Sequence, residues 1–341
     1  MSYEVPLSLT NFPKWVPNPQ SLLLSDELLV WAAATLGERG RAPFSADIVR
    51  AGHRRVSTLY DAFSTTCGCH LAPSQNYLSG SDTTERATIS YFLGGLSAKL
   101  AAALLVGVPY LTHYDAVLRE HGRPVRGRRP DFVGVGNPPI GARVTVEAKG
   151  TIGNINNALD YAAVQAKGAG RRPRPRRLVW GQQAHFNDHG WGEAVWSASL
   201  VDPPEDDFEF PATGDVLVAY FAPLVRDLFF RAQVESYVES QGWWMAELGE
   251  TGAQVAIRRE IALAALESDG AALVELSRLH MNGPDDREPQ PDEVEASLLA
   301  AESEHWGSPI WPERADLTQG IVGPDGIAVR TSTVATFSHS L

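Results

Sequence analysis

Cysteine is nearly absent: Cys67 and Cys69 are the only two in 341 residues. A disulfide framework is therefore excluded, and a reduced, cytoplasmic setting is expected. The CGCH stretch from Cys67 to His70 looks faintly like a metal site. No second Cys pair exists to complete four zinc ligands, so no structural metal is expected there. A long hydrophobic run is missing too. The strongest, Ala101 to Val108, is far short of the roughly 20 residues that span a bilayer. The opening MSYEVPLSLTNF has neither the basic nor the apolar region of a secretory signal. The expectation is a soluble protein with no membrane partner. Repeats and low-complexity tracts are also lacking. With 44% hydrophobic and 21% charged residues, the composition is that of an ordinary globular chain.

Positive charge is the scarcer sign. Lys and Arg number 29 against 41 Asp and Glu, a net charge of −12. On that average alone a nucleic-acid partner is not expected. The average hides an uneven distribution. Residues 118–177 hold thirteen basic and four acidic side chains, a net +9, which leaves −21 for the rest. The basic residues concentrate in two clusters, HGRPVRGRR and GRRPRPRR. They include Arg126, Arg128 and Arg129 in the first, and Arg171, Arg172, Arg174, Arg176 and Arg177 in the second.

Patterning divides the chain into three regions: a helical one over 1–80, an α/β core over 81–201 and a mixed α+β one over 202–341. In the first, Asp26 to Leu36 and a run from Ser45 to Phe63 have helical spacing. With a turn at Ala51-Gly52-His53 they form either a plain helical layer or a helix-turn-helix with Arg50, His53, Arg54 and Arg55 at its reading end. A long helix follows from Thr83 to Leu105, with Ile89, Phe92, Leu93, Leu96, Leu100 and Leu104 on one stripe. Strands are predicted at Tyr110 to Tyr114, Asp131 to Val135 and Arg143 to Ala148. A small-residue helix spans Asn156 to Lys167, and another strand spans Arg177 to Gln182. The order is α-β-β-β-α-β. Beyond the acidic, proline-rich Asp202 to Pro211 come a helix at Val216 to Ala232, a tryptophan pair at Trp243 and Trp244, and a strand at Gln254 to Ile261. A helix starting near Pro291 is expected, then a hairpin turning at Pro324-Asp325-Gly326.

The stretch RRPDFVGVGNPPIGARVTVEAKG, residues 128–150, carries the chemistry. Side chains alternate along a strand, so Glu147 and Lys149 share a face. A hairpin brings Asp131 beside them. Two carboxylates can hold Mg²⁺, with the Ala148 backbone carbonyl as a third ligand. Such a metal polarises a phosphodiester and activates a water. Lys149 can orient that water and offset charge on the phosphate.

Pro130-Asp131 followed by Glu147-Ala148-Lys149, in an α-β-β-β-α-β frame, resembles the PD-(D/E)xK nuclease superfamily. The resemblance covers about Asp82 to Leu200, roughly a third of the chain. It implies an α/β fold: a restriction-endonuclease-like αβββαβ core with a mixed sheet, a helical N-terminal addition and a mixed α+β C-terminal one. It implies that Asp131 and Glu147 bind a catalytic Mg²⁺, with Mn²⁺ as a substitute, and that Lys149 assists the water. Some branches add a metal-binding carboxylate on the long helix, the position of Glu85. That residue fits equally a capping box with Asp82. Other branches carry a Gln that reaches the active site from the following helix, the position of Gln165, one turn from Tyr161. His185 and His189 read as loop or edge residues. The arginine clusters are expected to contact phosphates. The resulting expectation is a Mg²⁺-dependent endonuclease on double-stranded DNA in defence against foreign DNA. A homodimer is one way to cut both strands, and the acidic remainder offers a surface for a protein partner. The alternatives are a non-catalytic nucleic-acid-binding subunit and an RNA-cleaving effector.

Overall fold

Strand pairing sets residues 7–10 beside residues 198–201. The computed structural model describes residues 2–12, 14, 16–36, 51–65, 69–120, 122–125, 129–136, 142–151, 159–160, 162, 165, 177–187, 195–201, 210–234, 238–240, 243–247, 253–282 and 320–331. The chain begins β1 (Ser2–Thr10), β2 (Ser21–Ser25), α1 (Asp26–Thr35), α2 (Ala51–Ala62), β3 (Phe63–Thr65), β4 (Leu71–Pro73) and α3 (Thr83–Val106). It continues β5 (Tyr110–His113), α4 (Tyr114–Glu120), β6 (Phe132–Val135), β7 (Arg143–Thr151), β8 (Arg177–Asn187) and β9 (Val195–Val201). Then follow α5 (Thr213–Val234), β10 (Val238–Ser240), β11 (Trp243–Glu247), β12 (Gln254–Arg258), α6 (Arg259–Leu266), α7 (Gly270–Asn282), β13 (Gly320–Val322) and β14 (Ala328–Arg330). Between β7 and β8, Leu159, Asp160, Ala162 and Gln165 are helical.

The fold is α/β with a mixed seven-stranded sheet in the order β2-β1-β9-β8-β7-β6-β5. β5, β6 and β7 form an antiparallel meander, and β7 runs parallel to β8. β9 pairs antiparallel with β8 and parallel with β1, and β2 closes that edge. A second sheet has the order β10-β11-β12-β14-β13.

α3 forms where helix signals coincide. The Asp82 carboxylate caps its start, accepting from the Thr84 and Glu85 amides, and the Asp82 amide donates in turn to the Glu85 carboxylate. Gly107 ends it in the left-handed conformation, its N–H donating to the Ala102 carbonyl. The helix is apolar on every side. By length and composition it would cross a membrane, yet 78% of its apolar stretch is buried by the rest of the chain. From Phe92 to Ala103 every residue is buried, so the sequence-predicted stripe is one side of a helix enclosed all round over that stretch.

Several sequence expectations change. The first region is not only helical, because β1 and β2 extend the central sheet. Tyr3 and Val5 alternate with Glu4 and Pro6, burying one side of β1. Residues 51–53 are helix rather than a turn, and α1 is a core helix with Leu29 to Ala33 fully enclosed. Arg55 donates to the Ala34 carbonyl at 3.4 Å. Arg54 of α2 is exposed, and Arg50 with the segment between α1 and α2 lies outside the described residues. One hydrophobic cluster runs from Tyr3 to Val329 and draws on all three sequence regions. The strand at Gln254 stops at Arg258, where α6 takes over. The hairpin forms as expected, around Pro324-Asp325-Gly326. The helix expected near Pro291 and the acidic stretches Asp202 to Pro211 and Asn282 to Pro291 lie outside the described residues, apart from Phe210, Pro211 and Asn282 at their ends.

Candidate active site

β6 begins directly after Asp131, and it pairs with β7 so that Phe132 faces Val146. That register sets Asp131 beside Glu147. Glu147 and Lys149 lie on the side of β7 turned away from α3, while Val146 and Gly150 lie toward it. A Cβ on Gly150 would run into the Ser90 carbonyl of α3, and one on Gly94 would come 2.7 Å from the Lys149 carbonyl carbon. The α3 and β7 backbones therefore touch directly, and this contact fixes the height of Lys149 on the sheet.

Three hydrogen bonds join the group. The Asp131 amide donates to Glu147 Oε2 at 3.1 Å. The Ala148 amide donates to Asp131 Oδ2 at 3.2 Å. The Lys149 ammonium donates to Glu147 Oε1 as an ion pair. In an extended strand the N–H and C=O of one residue point to the same side, and the Ala148 amide meets Asp131, so the Ala148 carbonyl shares that side. Glu147 is 1% exposed, whereas the Lys149 side chain is 34% exposed. The carboxylate forms the floor and the ammonium reaches the surface. Burial, and after it the Asp131 carboxylate, push Glu147 up to about 7, against the pull of Lys149. The site brings two carboxylates, one of them enclosed, together with the Lys149 ammonium.

No family model matches this chain, and no curated protein or solved structure matches it.

The remaining sequence-selected residues fall in different places. Glu85 takes the capping-box alternative: it is exposed, at the start of α3, with its carboxylate on the Asp82 amide. Gln165 is a half-buried helical residue between β7 and β8, and Tyr161 lies outside the described residues. Arg129 has its guanidinium forked onto Asp115, Nη2 to Oδ2 at 2.9 Å. It is thus held by a carboxylate rather than extended toward a phosphate. The Asp131 charge also raises the Arg129 pKa, which marks the pair as a neighbour of the site. Arg126, Arg128, Arg171, Arg172, Arg174 and Arg176 lie outside the described residues, and the Arg177 backbone opens β8 opposite Arg143. His185 is buried in β8 with Nε2 3.1 Å from Ser199 Oγ, and His189 lies outside the described residues.

Sequence reasoning missed the Asp115–Arg129 pair and the Gly94–Gly150 contact. The second had a signal: Gly94-Gly95 inside a strong helix, and Gly150 directly after Lys149, both mark close backbone approach. The first had none, because Asp115 reads as an ordinary acidic residue of a helix start.

Proposed function

We propose that this chain is a Mg²⁺-dependent nuclease of the PD-(D/E)xK type that hydrolyses DNA phosphodiester bonds, with double-stranded DNA the favoured substrate. The observation that carries the reading is the convergence of Asp131, Glu147 and Lys149 at the end of the β6–β7 ladder. The order around it supports the reading as well. α3, the antiparallel β5, β6 and β7, helical residues and a β8 parallel to β7 come in the sequence order that the resemblance implies, with α4 inserted between β5 and β6. A role in defence against foreign DNA rests on the resemblance alone.

The donor set fits a hard divalent cation. Asp131 and Glu147 supply carboxylate oxygens, and Ala148 a carbonyl on the same side. Glu147, raised toward neutrality by burial beside Asp131, is the group such a cation would keep ionised. When bound, Mg²⁺ supplies Lewis-acid polarisation of the phosphodiester and a lowered pKa for coordinated water. The chain's own residues do the rest. The Ala148 amide fixes the Asp131 carboxylate, and the Asp131 amide fixes that of Glu147. Lys149 is held by Glu147 at the solvent boundary, where it offsets negative charge on the attacked phosphate and orients the incoming water. The direct α3–β7 contact keeps these groups from shifting.

Supercoiled plasmid incubated with the purified protein and Mg²⁺ should be nicked and linearised, and EDTA should stop the reaction. Asp131→Ala and Lys149→Ala should each slow it by about 100-fold or more. Cleavage at the wild-type rate in either variant overturns the assignment. Labelled RNA in parallel reads out the RNA-cleaving alternative. Binding without cleavage of either substrate would instead favour a non-catalytic subunit.

A further inference from the structure

A second group of metal-ligating side chains lies on the first strand, apart from the carboxylates of β6 and β7. Glu4 of β1 meets Cys69 and His70, which lead into β4. One carboxylate oxygen, the Cys69 Sγ and one ring nitrogen of His70 all lie within 4.8 Å of one another. The three side chains are half-buried, so a small ion can reach them.

We propose that Glu4, Cys69 and His70 form a binding site for a borderline-soft divalent cation, Zn²⁺ in the first place, that ties β1 to the β3–β4 hairpin. Carboxylate oxygen, thiolate sulfur and imidazole nitrogen are the three donor types that zinc accepts, and thiolate selects it over Mg²⁺ or Ca²⁺. The group is already held in place from outside. The Glu4 amide donates to the Cys69 carbonyl at 2.7 Å, which locks the two residues side by side. Ser21 Oγ donates to Glu4 Oε1 at 2.8 Å and turns Oε2 toward Cys69 Sγ, 3.9 Å away. His70 Nδ1 lies 3.2 Å from the Glu4 carbonyl. A carbonyl only accepts, so this bond places the ring proton on Nδ1 and the lone pair on Nε2. Metal-binding histidines and carboxylates are oriented by outer partners of this kind. Zinc bond lengths imply donor separations of about 3.3–3.8 Å. Small side-chain rotations therefore close the site. Among the described residues the group has three protein donors, which leaves a fourth tetrahedral position to be filled. The sequence alone showed a CGCH stretch without enough ligands. The missing donor is Glu4 of β1, 65 positions from Cys69 and held beside it by the bond from the Glu4 amide to the Cys69 carbonyl.

The test uses the full-length protein and Co²⁺ as a spectroscopic stand-in for Zn²⁺. One equivalent of Co²⁺ should produce a thiolate-to-metal charge-transfer band and the visible bands of tetrahedral Co²⁺. Equimolar Zn²⁺ should remove both, and a large excess of Mg²⁺ should not. Cys69→Ser should abolish the charge-transfer band, and Ser21→Ala should weaken Co²⁺ binding by about tenfold. His70→Ala should weaken it at least as much. Cys67→Ser and Asp131→Ala should leave the band intact, which separates this site from the carboxylate site whatever the fate of the nuclease reading. The proposal is overturned by a wild-type protein with no such band, by a band that survives Cys69→Ser, or by one lost in Cys67→Ser.

Discussion

At the residue scale, Glu147 is set by a conflict between burial and charge. Its folded value of about 7 exceeds the ordinary 4.5, so between these two pH values the metal-free folded protein holds a proton that the unfolded chain has released. Its contribution to stability is complete below about 4.5 and is lost as pH rises through about 7. Glu147→Gln removes this dependence. In EDTA the variant should melt a few degrees above wild type at pH 8 and level with it near pH 4.5. Thermal melts across that range check the prediction, and parallel curves would contradict it. Mg²⁺ should raise the wild-type curve at pH 8 and leave the variant unmoved, because only the wild type offers the second carboxylate. Which residues face each other here was legible from alternation along β7. That Glu147 would be enclosed and Lys149 exposed was not, because both have the same strand parity.

Among the elements, α1, α3, α5 and the β13–β14 turn meet in one buried polar network. The Lys99 ammonium donates to the Pro109 carbonyl and, at 2.7 Å, to the Tyr220 hydroxyl. It also lies 4.6 Å from the centroid of the Trp31 ring and 4.2 Å from that of Tyr220. Asp325, in the hairpin turn, accepts from Trp31 Nε1 at 3.0 Å, from the Ile327 amide at 3.0 Å and from the Tyr220 hydroxyl. Burial pulls Lys99 down to about 7 and raises Asp325, each opposed by the other's charge. The network pins the C-terminal hairpin to the first and third helices. Lys99→Met keeps the side-chain length but leaves Asp325 without its cation, and should cost about 3–5 kcal/mol. Adding Asp325→Asn should recover part of that loss, a coupling that urea denaturation of the two single variants and the double variant would measure. A strictly additive pair would show that the two charges do not depend on each other. The α3 stripe was legible, yet nothing in the sequence singled out Lys99 within that apolar helix. Only its partners from α5 and the hairpin explain why it is enclosed.

For the whole molecule, charge is segregated: a +9 stretch surrounds the candidate site in sequence while the rest carries −21. If the two arginine clusters neutralise phosphates, DNA binding should weaken steeply with salt, by about three orders of magnitude between 50 and 200 mM. Replacing Arg171, Arg172 and Arg174 together by Ala should flatten the log–log slope by about 2 to 3. Arg129→Ala should hardly change it, because that guanidinium is held by Asp115. Fluorescence anisotropy with a labelled duplex reads both slopes, and equal effects of the two substitutions would reject the division. A shallow wild-type slope would remove the clusters from the interface.

Local signals in the sequence determined the capped helix from Asp82 to Gly107, the strand carrying Glu147 and Lys149, and the turn at Pro324-Asp325-Gly326. Each depends on neighbours within a few positions, where capping, alternation and turn chemistry act. The tertiary structure decided the parallel pairing of β1 with β9, the arrival of Glu4 beside Cys69 and His70, the capture of Arg129 by Asp115, and the burial of Glu147 and Lys99. In all of these the partner is distant in sequence or sits on another element. Such pairings are selected by the burial and charge balance of the assembled layers, which no local window of sequence contains.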